Sequence, residues 1–275
     1  MSKTFAPDFS YAPFDTTAGS QASAHARPFA HPQSLLELPP GEARKSLLTV
    51  HEILSARLQS KSEIAIYEAG GGSTSFLPLG LLHRAHVTVV DIDEDQIRNN
   101  DYAQEKILGD VQTHRFEPGS FDLVICYNVI EHLPDTESAL LGFCEALKQD
   151  GLILIGAPNP RSLSGVVTKY TPHWFHVWYY RYVRGIENAG LPGEAPFPTF
   201  FHPLVTLSKL EAFAGTHGLE VIYRKEYESP RFPEIRARKP MLARLIDASA
   251  AVMNFFLPEK TDVRHGDYHL ILRKR

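Results

Sequence analysis

The chain has 275 residues, 43% of them hydrophobic and 22% charged, with a net charge of −4. That balance fits one large soluble domain or two small ones and argues against general nucleic-acid affinity. Two cysteines, Cys126 and Cys144, lie in apolar stretches that suit buried free thiols, and no apolar run reaches the length of a membrane span. With no secretory start in view, a cytoplasmic protein is the expectation.

Residues 1–40 open the chain as an N-terminal arm, rich in Ala, Ser, Pro and Phe and without a clear period. Helical signals begin near Gly41, where Leu47, Val50, Leu54 and Leu58 form an apolar stripe. Apolar runs then predict strands at 64–68, 87–91, 106–108, 121–126 and 151–156, separated by helices at 75–83, 94–101 and 135–148. Such alternation predicts right-handed crossovers and a mostly parallel, doubly wound sheet. The rhythm breaks at Pro158-Asn159-Pro160, and residues 158–205 concentrate proline and aromatic rings, including HWFHVWYYRY at 173–182. A helix at 206–217, a strand at 220–227, a helix at 240–257 and a strand at 267–273 complete the pattern. The expected organisation is a core of 41–157 with 206–275, and a lid-like aromatic insertion of 158–205 over an acceptor site. A long excursion between the last two strands predicts an antiparallel strand at the sheet edge.

The chemistry-bearing residues gather at strand ends. Glu68 closes the first strand and leads into Gly70-Gly71-Gly72, which permit tight turning and close ligand approach. A dinucleotide fingerprint needs glycine at its sixth position, where this chain has Ser75. A carboxylate at that strand end would also repel a pyrophosphate. It suits a ligand with an ammonium group and no phosphate, such as S-adenosyl-L-methionine. Asp91 ends the second strand, about twenty residues on, where a carboxylate can accept from ribose hydroxyls. Asp93 is the better cap for the helix that follows. Asp110, in Leu108-Gly109-Asp110-Val111, is a third acid at a third strand end, able to accept from an adenine amino group.

With Phe121-Asp122-Leu123-Val124 through Glu131-His132-Leu133, the chain resembles the class I S-adenosylmethionine-dependent methyltransferases, in their small-molecule group with an FDLV…EHL segment. EAGGGST, VVDID, the Gly-Asp at 109–110 and LKQDGLILIGAPN are similar to the family's motifs in order and spacing. The resemblance implies a Rossmann-like seven-stranded sheet. It also implies that Glu68 holds the methionine amino end, that Gly70 and Gly72 line the methionine moiety, and that Asp91 binds ribose. Asp110 and Val111 would meet adenine, and Tyr127 and Asn128 the sulfonium end. Thr74 stands where the family often has a third glycine, and Gln149-Asp150-Gly151 replaces the commoner Pro-Gly-Gly.

Methyl transfer to a hydroxyl needs a proton acceptor. His132 is the candidate, because imidazole titrates near neutrality, although an Glu-His pair there equally suits a structural loop. His173, Trp174, His176 and Tyr180 are candidates for the acceptor pocket, their rings offering apolar faces with polar handles. No third ligand matches the spacing of His173 and His176, so no metal is expected. Residues 240–257 form a basic amphipathic pattern compatible with an anionic membrane or a homodimer contact, but packing on the core explains the stripe most simply. The expected activity is methylation of a sugar, polyketide or phenolic hydroxyl. An NAD(P)-dependent oxidoreductase and a non-catalytic cofactor-binding partner are the alternatives.

Overall fold

A computed structural model describes residues 41–275 apart from 184, 192–195, 230 and 257–261. The predicted arm at 1–40 lies outside the described residues, as does Leu257. Seven strands form one sheet in the order β3-β2-β1-β4-β5-β7-β6. They are β1 (Ile64–Ala69), β2 (Ala85–Asp91), β3 (Glu105–Leu108), β4 (Phe121–Tyr127), β5 (Leu147–Pro158), β6 (Leu219–Tyr227) and β7 (Asp267–Lys274). The first five pair in parallel; β7 runs antiparallel to both β5 and β6 and lies between them. The antiparallel strand thus falls at the β6 end of the sheet, with β6 on the rim. This is the expected doubly wound α/β architecture.

Both faces are covered, which is why the central strands read as continuous apolar runs. On one face α1 (Gly41–Leu58) buries Val50, Leu54 and Leu58 against Ile64, Ile66, Leu123 and Ile125. On the other, α4 (Thr136–Ala146) and α7 (Leu207–Thr216) pack Leu140, Phe143, Leu210 and Phe213 onto Val124, Cys126, Ile153 and Ile155. Asp135 caps α4, its carboxylate accepting from Ser138 N.

Two early helices are shorter than predicted. Helix α2 spans only Leu79–Leu82, because Pro78 lacks an N–H and disfavours helix at the residue before it. Ser75 is also engaged elsewhere, as described below. Helix α3 is Glu94–Arg98, capped by Asp93 as predicted. It stops where the Asn100 amide turns away to donate to Gly72 O at 2.7 Å. The insertion carries α5 (Leu163–Tyr170), α6 (His173–Trp178) and a π-turn at Tyr179–Val183. After β6 come α8 (Arg231–Arg238), unforeseen in the sequence, and α9 (Pro240–Phe256).

Helix α9 departs from expectation in its orientation. It buries Ala243 and Ala250, while Met241, Leu245, Val252, Phe255 and Phe256 are exposed. Core packing of the whole apolar stripe, the simplest sequence reading, is therefore wrong. The alanines permit close approach to the protein, Leu242, Ile246 and Met253 are half-buried, and Met241, Leu245, Val252, Phe255 and Phe256 occupy the opposite side.

Candidate active site

The strand order reverses between β1 and β4, so the loops leaving their carboxyl ends diverge and open a crevice, the usual ligand position in such sheets. The turn after β1 forms one wall. Gly70 has φ +66° and Gly72 φ +55°, both in the left-handed region. A Cβ on Gly70 would lie 2.4 Å from Val129 Cγ2, so the turn and the loop after β4 meet with no room for a side chain.

Glu68 is 2% exposed. Its Oε1 accepts from Ser75 Oγ and its Oε2 from Tyr102 Oη, each at 2.5 Å. Burial pushes its pKa up to about 7, against the opposing effect of these two donors. Ser75, the residue that breaks the dinucleotide fingerprint, is therefore a clamp on the acid. Neither Ser75 nor Tyr102 was singled out from sequence. Tyr102 lies 34 positions from Glu68, and only the fold brings them together.

Asp91 is half-buried at the end of β2. Its Oδ2 accepts from Gly72 N and its Oδ1 from Asp93 N, both at 2.9 Å. Burial raises its pKa, opposed by these N–H donors. The bonds fix the plane of the carboxylate and leave each oxygen a further lone pair. Gln96 tightens the same turn, its Oε1 accepting from Ser73 N and Ser73 Oγ. Asp110 is oriented similarly, accepting from Gln112 N at 2.8 Å and from Gln112 Nε2 at 3.0 Å, while Val111 beside it is buried.

Across the crevice, Asn128 is exposed with φ +55°, a left-handed conformation that asparagine tolerates better than most residues. Its N–H donates to Gly156 O at 2.7 Å. The Tyr127 ring stacks on Phe76, with centroids 3.7 Å apart. Its hydroxyl meets His269 Nε2 at 2.7 Å, and Tyr227 Oη reaches the same nitrogen at 2.8 Å. On the other side of that imidazole, Nδ1 lies 2.7 Å from Ser46 Oγ. His269 is fully buried, and burial, with His51 nearby, lowers its pKa to about 3. It is neutral throughout the physiological range. Nothing in the sequence marked His269; it stands in an apolar strand and is reached only through tertiary pairing.

His132 follows β4 in a single 3-10 turn, Ile130–His132. Its Nδ1 lies 2.6 Å from the Pro198 carbonyl, so this nitrogen carries the proton and donates it. Nε2 is then the basic nitrogen, 3.7 Å from Glu131 Oε1. Burial lowers the His132 pKa, offset in part by the Pro198 bond. The insertion is strapped to the same turn, since Phe200 N and Phe201 N both donate to Glu131 O. The returning end of the insertion, around Pro198, supplies these contacts to His132. The predicted acceptor residues lie further back. His173 and Trp174 are exposed on α6, His176 Nε2 lies 2.7 Å from Thr171 Oγ1, and Tyr180 sits half-buried in the π-turn. Among the described residues no three His, Cys, Asp or Glu side chains gather as a metal site would require.

A short α2 leaves no extended helix N-terminus behind the glycine turn to attract a diphosphate. Carboxylates stand at the carboxyl ends of three successive parallel strands, and those of Asp91 and Asp110 are held by N–H groups. The backbone at Gly70 and Gly71 is packed too closely for a Cβ. These features fit a cationic, phosphate-free nucleoside.

The comparisons agree. The fold is the α/β, Rossmann-like arrangement of the class I methyltransferases. Residues 67–155 match the family described as "Methyltransferase domain", in accord with the resemblance to the class I S-adenosylmethionine-dependent methyltransferases and with S-adenosyl-L-methionine as cofactor. The ubiquinone biosynthesis O-methyltransferases of Neisseria meningitidis serogroups A and C are each 30% identical over 105 residues, which is 35% of this chain. The matched stretch spans 40% of the length of those curated relatives. A putative S-adenosylmethionine dependent methyltransferase from Listeria monocytogenes shares the fold with a TM-score of 0.52 at 14% identity, over 82% of this chain and 96% of that one. MccD protein does so at 0.51 and 15% identity, over 87% of this chain and all (100%) of the other.

Proposed function

We propose that this chain transfers the methyl group of S-adenosyl-L-methionine to a hydroxyl of a small molecule, with His132 as the proton acceptor. When bound, the cofactor supplies an electrophilic methyl. The protein's task is to align the acceptor oxygen with it, exclude water and take one proton. Asp91 would receive the ribose hydroxyls in its fixed plane, and Asp110 with Val111 the adenine. Gly70 and Gly72 would line the methionine chain, with Glu68 behind them, while Tyr127 and Asn128 would flank the transfer point. His173, Trp174, His176 and Tyr180 remain the proposed acceptor side.

The observation that carries this reading is the tautomer of His132. A proton held on Nδ1 by Pro198 O leaves Nε2 free to accept one. The lowered pKa keeps that nitrogen unprotonated to lower pH than an ordinary histidine. The names of the Neisseria relatives favour an oxygen acceptor. Phenols, sugars and polyketide hydroxyls are the classes to assay, with methyl-labelled cofactor and mass spectrometry of the products. In that assay His132→Gln is expected to lower kcat by about 10²–10⁴-fold while S-adenosylhomocysteine still binds. The acid limb of the wild-type pH–rate profile should lie below about 6.5 and vanish in the variant. Near-normal turnover of His132→Gln would remove the base assignment.

A further inference from the structure

Helix α9 presents an unusual face. In an ordinary surface helix the large apolar residues point inward. Here Met241, Phe255 and Phe256 are 84%, 82% and 76% exposed, with Leu245 and Val252 exposed between them. Their spacing places them along one side, opposite the buried Ala243 and Ala250.

This side is not isolated. Lys239 Nζ donates to Val183 O, tying the start of α9 to the end of the π-turn. At the other end Asn254 holds Asp262 and Val263, and Val263 O accepts from Leu163 N at the start of α5. Helix α9 is therefore pinned at both ends to the stretch that carries α5, α6 and the π-turn. That stretch exposes Tyr170, Trp178 and Tyr182. Both elements thus expose apolar and aromatic side chains, of the kind that marks an interaction site.

Charge identifies the occupant. The described residues of 167–191 and 238–256 include five exposed cations, Lys169, Arg181, Arg238, Lys239 and Arg244. Their acids are Glu187 and Asp247, and Asp247 is engaged by Arg236. In a chain of net charge −4, these described segments therefore pair an excess of cations with exposed apolar side chains. A second copy placed symmetrically would bring these cations against their own equivalents, which costs association energy. An anionic lipid surface accepts both components: Trp and Tyr rings settle at the headgroup level, Phe, Met and Leu enter the acyl boundary, and the cations meet lipid phosphates.

We propose that α9, with α5, α6 and the π-turn, docks the protein peripherally on an anionic lipid bilayer. No described helix is long and apolar enough to cross one. This inference goes beyond the proposed methyl transfer and does not depend on it. The test is co-sedimentation of the full chain with vesicles of phosphatidylcholine alone or mixed with phosphatidylglycerol, alongside Phe255→Ser/Phe256→Ser and Arg238→Glu/Arg244→Glu double variants. Circular dichroism and S-adenosylhomocysteine affinity serve as controls for folding, since all four side chains are exposed. Binding should require phosphatidylglycerol, weaken with salt, and fall about tenfold or more in each variant. Absence of binding to the mixed vesicles overturns the proposal, as does binding that both variants retain in full. So does a dimer in sedimentation velocity that Phe255→Ser/Phe256→Ser dissociates, because the face would then belong to a second copy.

Discussion

Glu68 is the residue whose physics is most exposed to test. Its folded pKa, about 7, lies above its ordinary value of 4.5. The native state therefore keeps a proton that the unfolded chain releases between these values. Its contribution to stability is complete below pH 4.5 and is lost as pH rises through 7, a swing on the order of 3 kcal/mol. Glu68→Gln should flatten that part of the stability–pH curve, as measured by urea unfolding at stepped pH. An unchanged slope would mean that the acid is ionised in the fold. Gly70 makes a geometric prediction. With φ +66° and no space beside Val129, Gly70→Ala must displace the turn or the loop after β4. Calorimetry should find cofactor affinity reduced by at least about tenfold, with the strain costing on the order of 1–3 kcal/mol of stability. Wild-type affinity in that variant would show that the turn has room to relax.

Among the elements, α1, β4, β6 and β7 are joined by one polar cluster around His269, fully enclosed between α1 and the sheet. Ser46 comes from α1, Tyr127 from β4, and Tyr227 from β6. Burial keeps the imidazole neutral, so acid must protonate it in an unfavourable site. Its folded pKa of about 3 is below the ordinary 6.5. The stability it confers is full above pH 6.5 and is lost as pH falls toward 3, by as much as about 5 kcal/mol. Between pH 4.5 and 6.5 this slope opposes that of Glu68, so the wild-type curve should be shallow there and steepen below it. His269→Gln should remove the acid-side slope and, at neutral pH, lower stability by about 1–3 kcal/mol through loss of the shared acceptor. Chemical denaturation at pH 4 and pH 7 separates the two effects; identical losses at both would contradict a buried neutral imidazole.

For the whole molecule, the crevice between β1 and β4 predicts which ligand stabilises the fold. S-adenosylhomocysteine at about a hundred times its Kd should add roughly 2.7 kcal/mol and raise Tm by several degrees, whereas NADH should not. A larger shift with NADH would favour the oxidoreductase alternative. The ordering of strands and helices, the acids at strand ends and the glycine turn were legible in the chain, because periodicity and turn chemistry are local properties. Glu68, Asp91 and Asp110 could be picked out as candidates for the same reason: each ends an apolar run. The short α2 was partly visible in Pro78 but hidden by an otherwise helical composition. Tyr102 on Glu68, Pro198 on His132, and His269 among three hydroxyls were not legible, because each joins residues distant in sequence. Sequence alone determined a doubly wound sheet with carboxylates at its ligand-binding rim, since alternating apolar periods have few other ways to be buried. Only the tertiary structure decided which nitrogen of His132 is basic, that burial raises the pKa of Glu68, and that α9 turns its phenylalanines outward. Those outcomes depend on what surrounds a group in space, and burial and hydrogen-bond partners are properties of the folded chain.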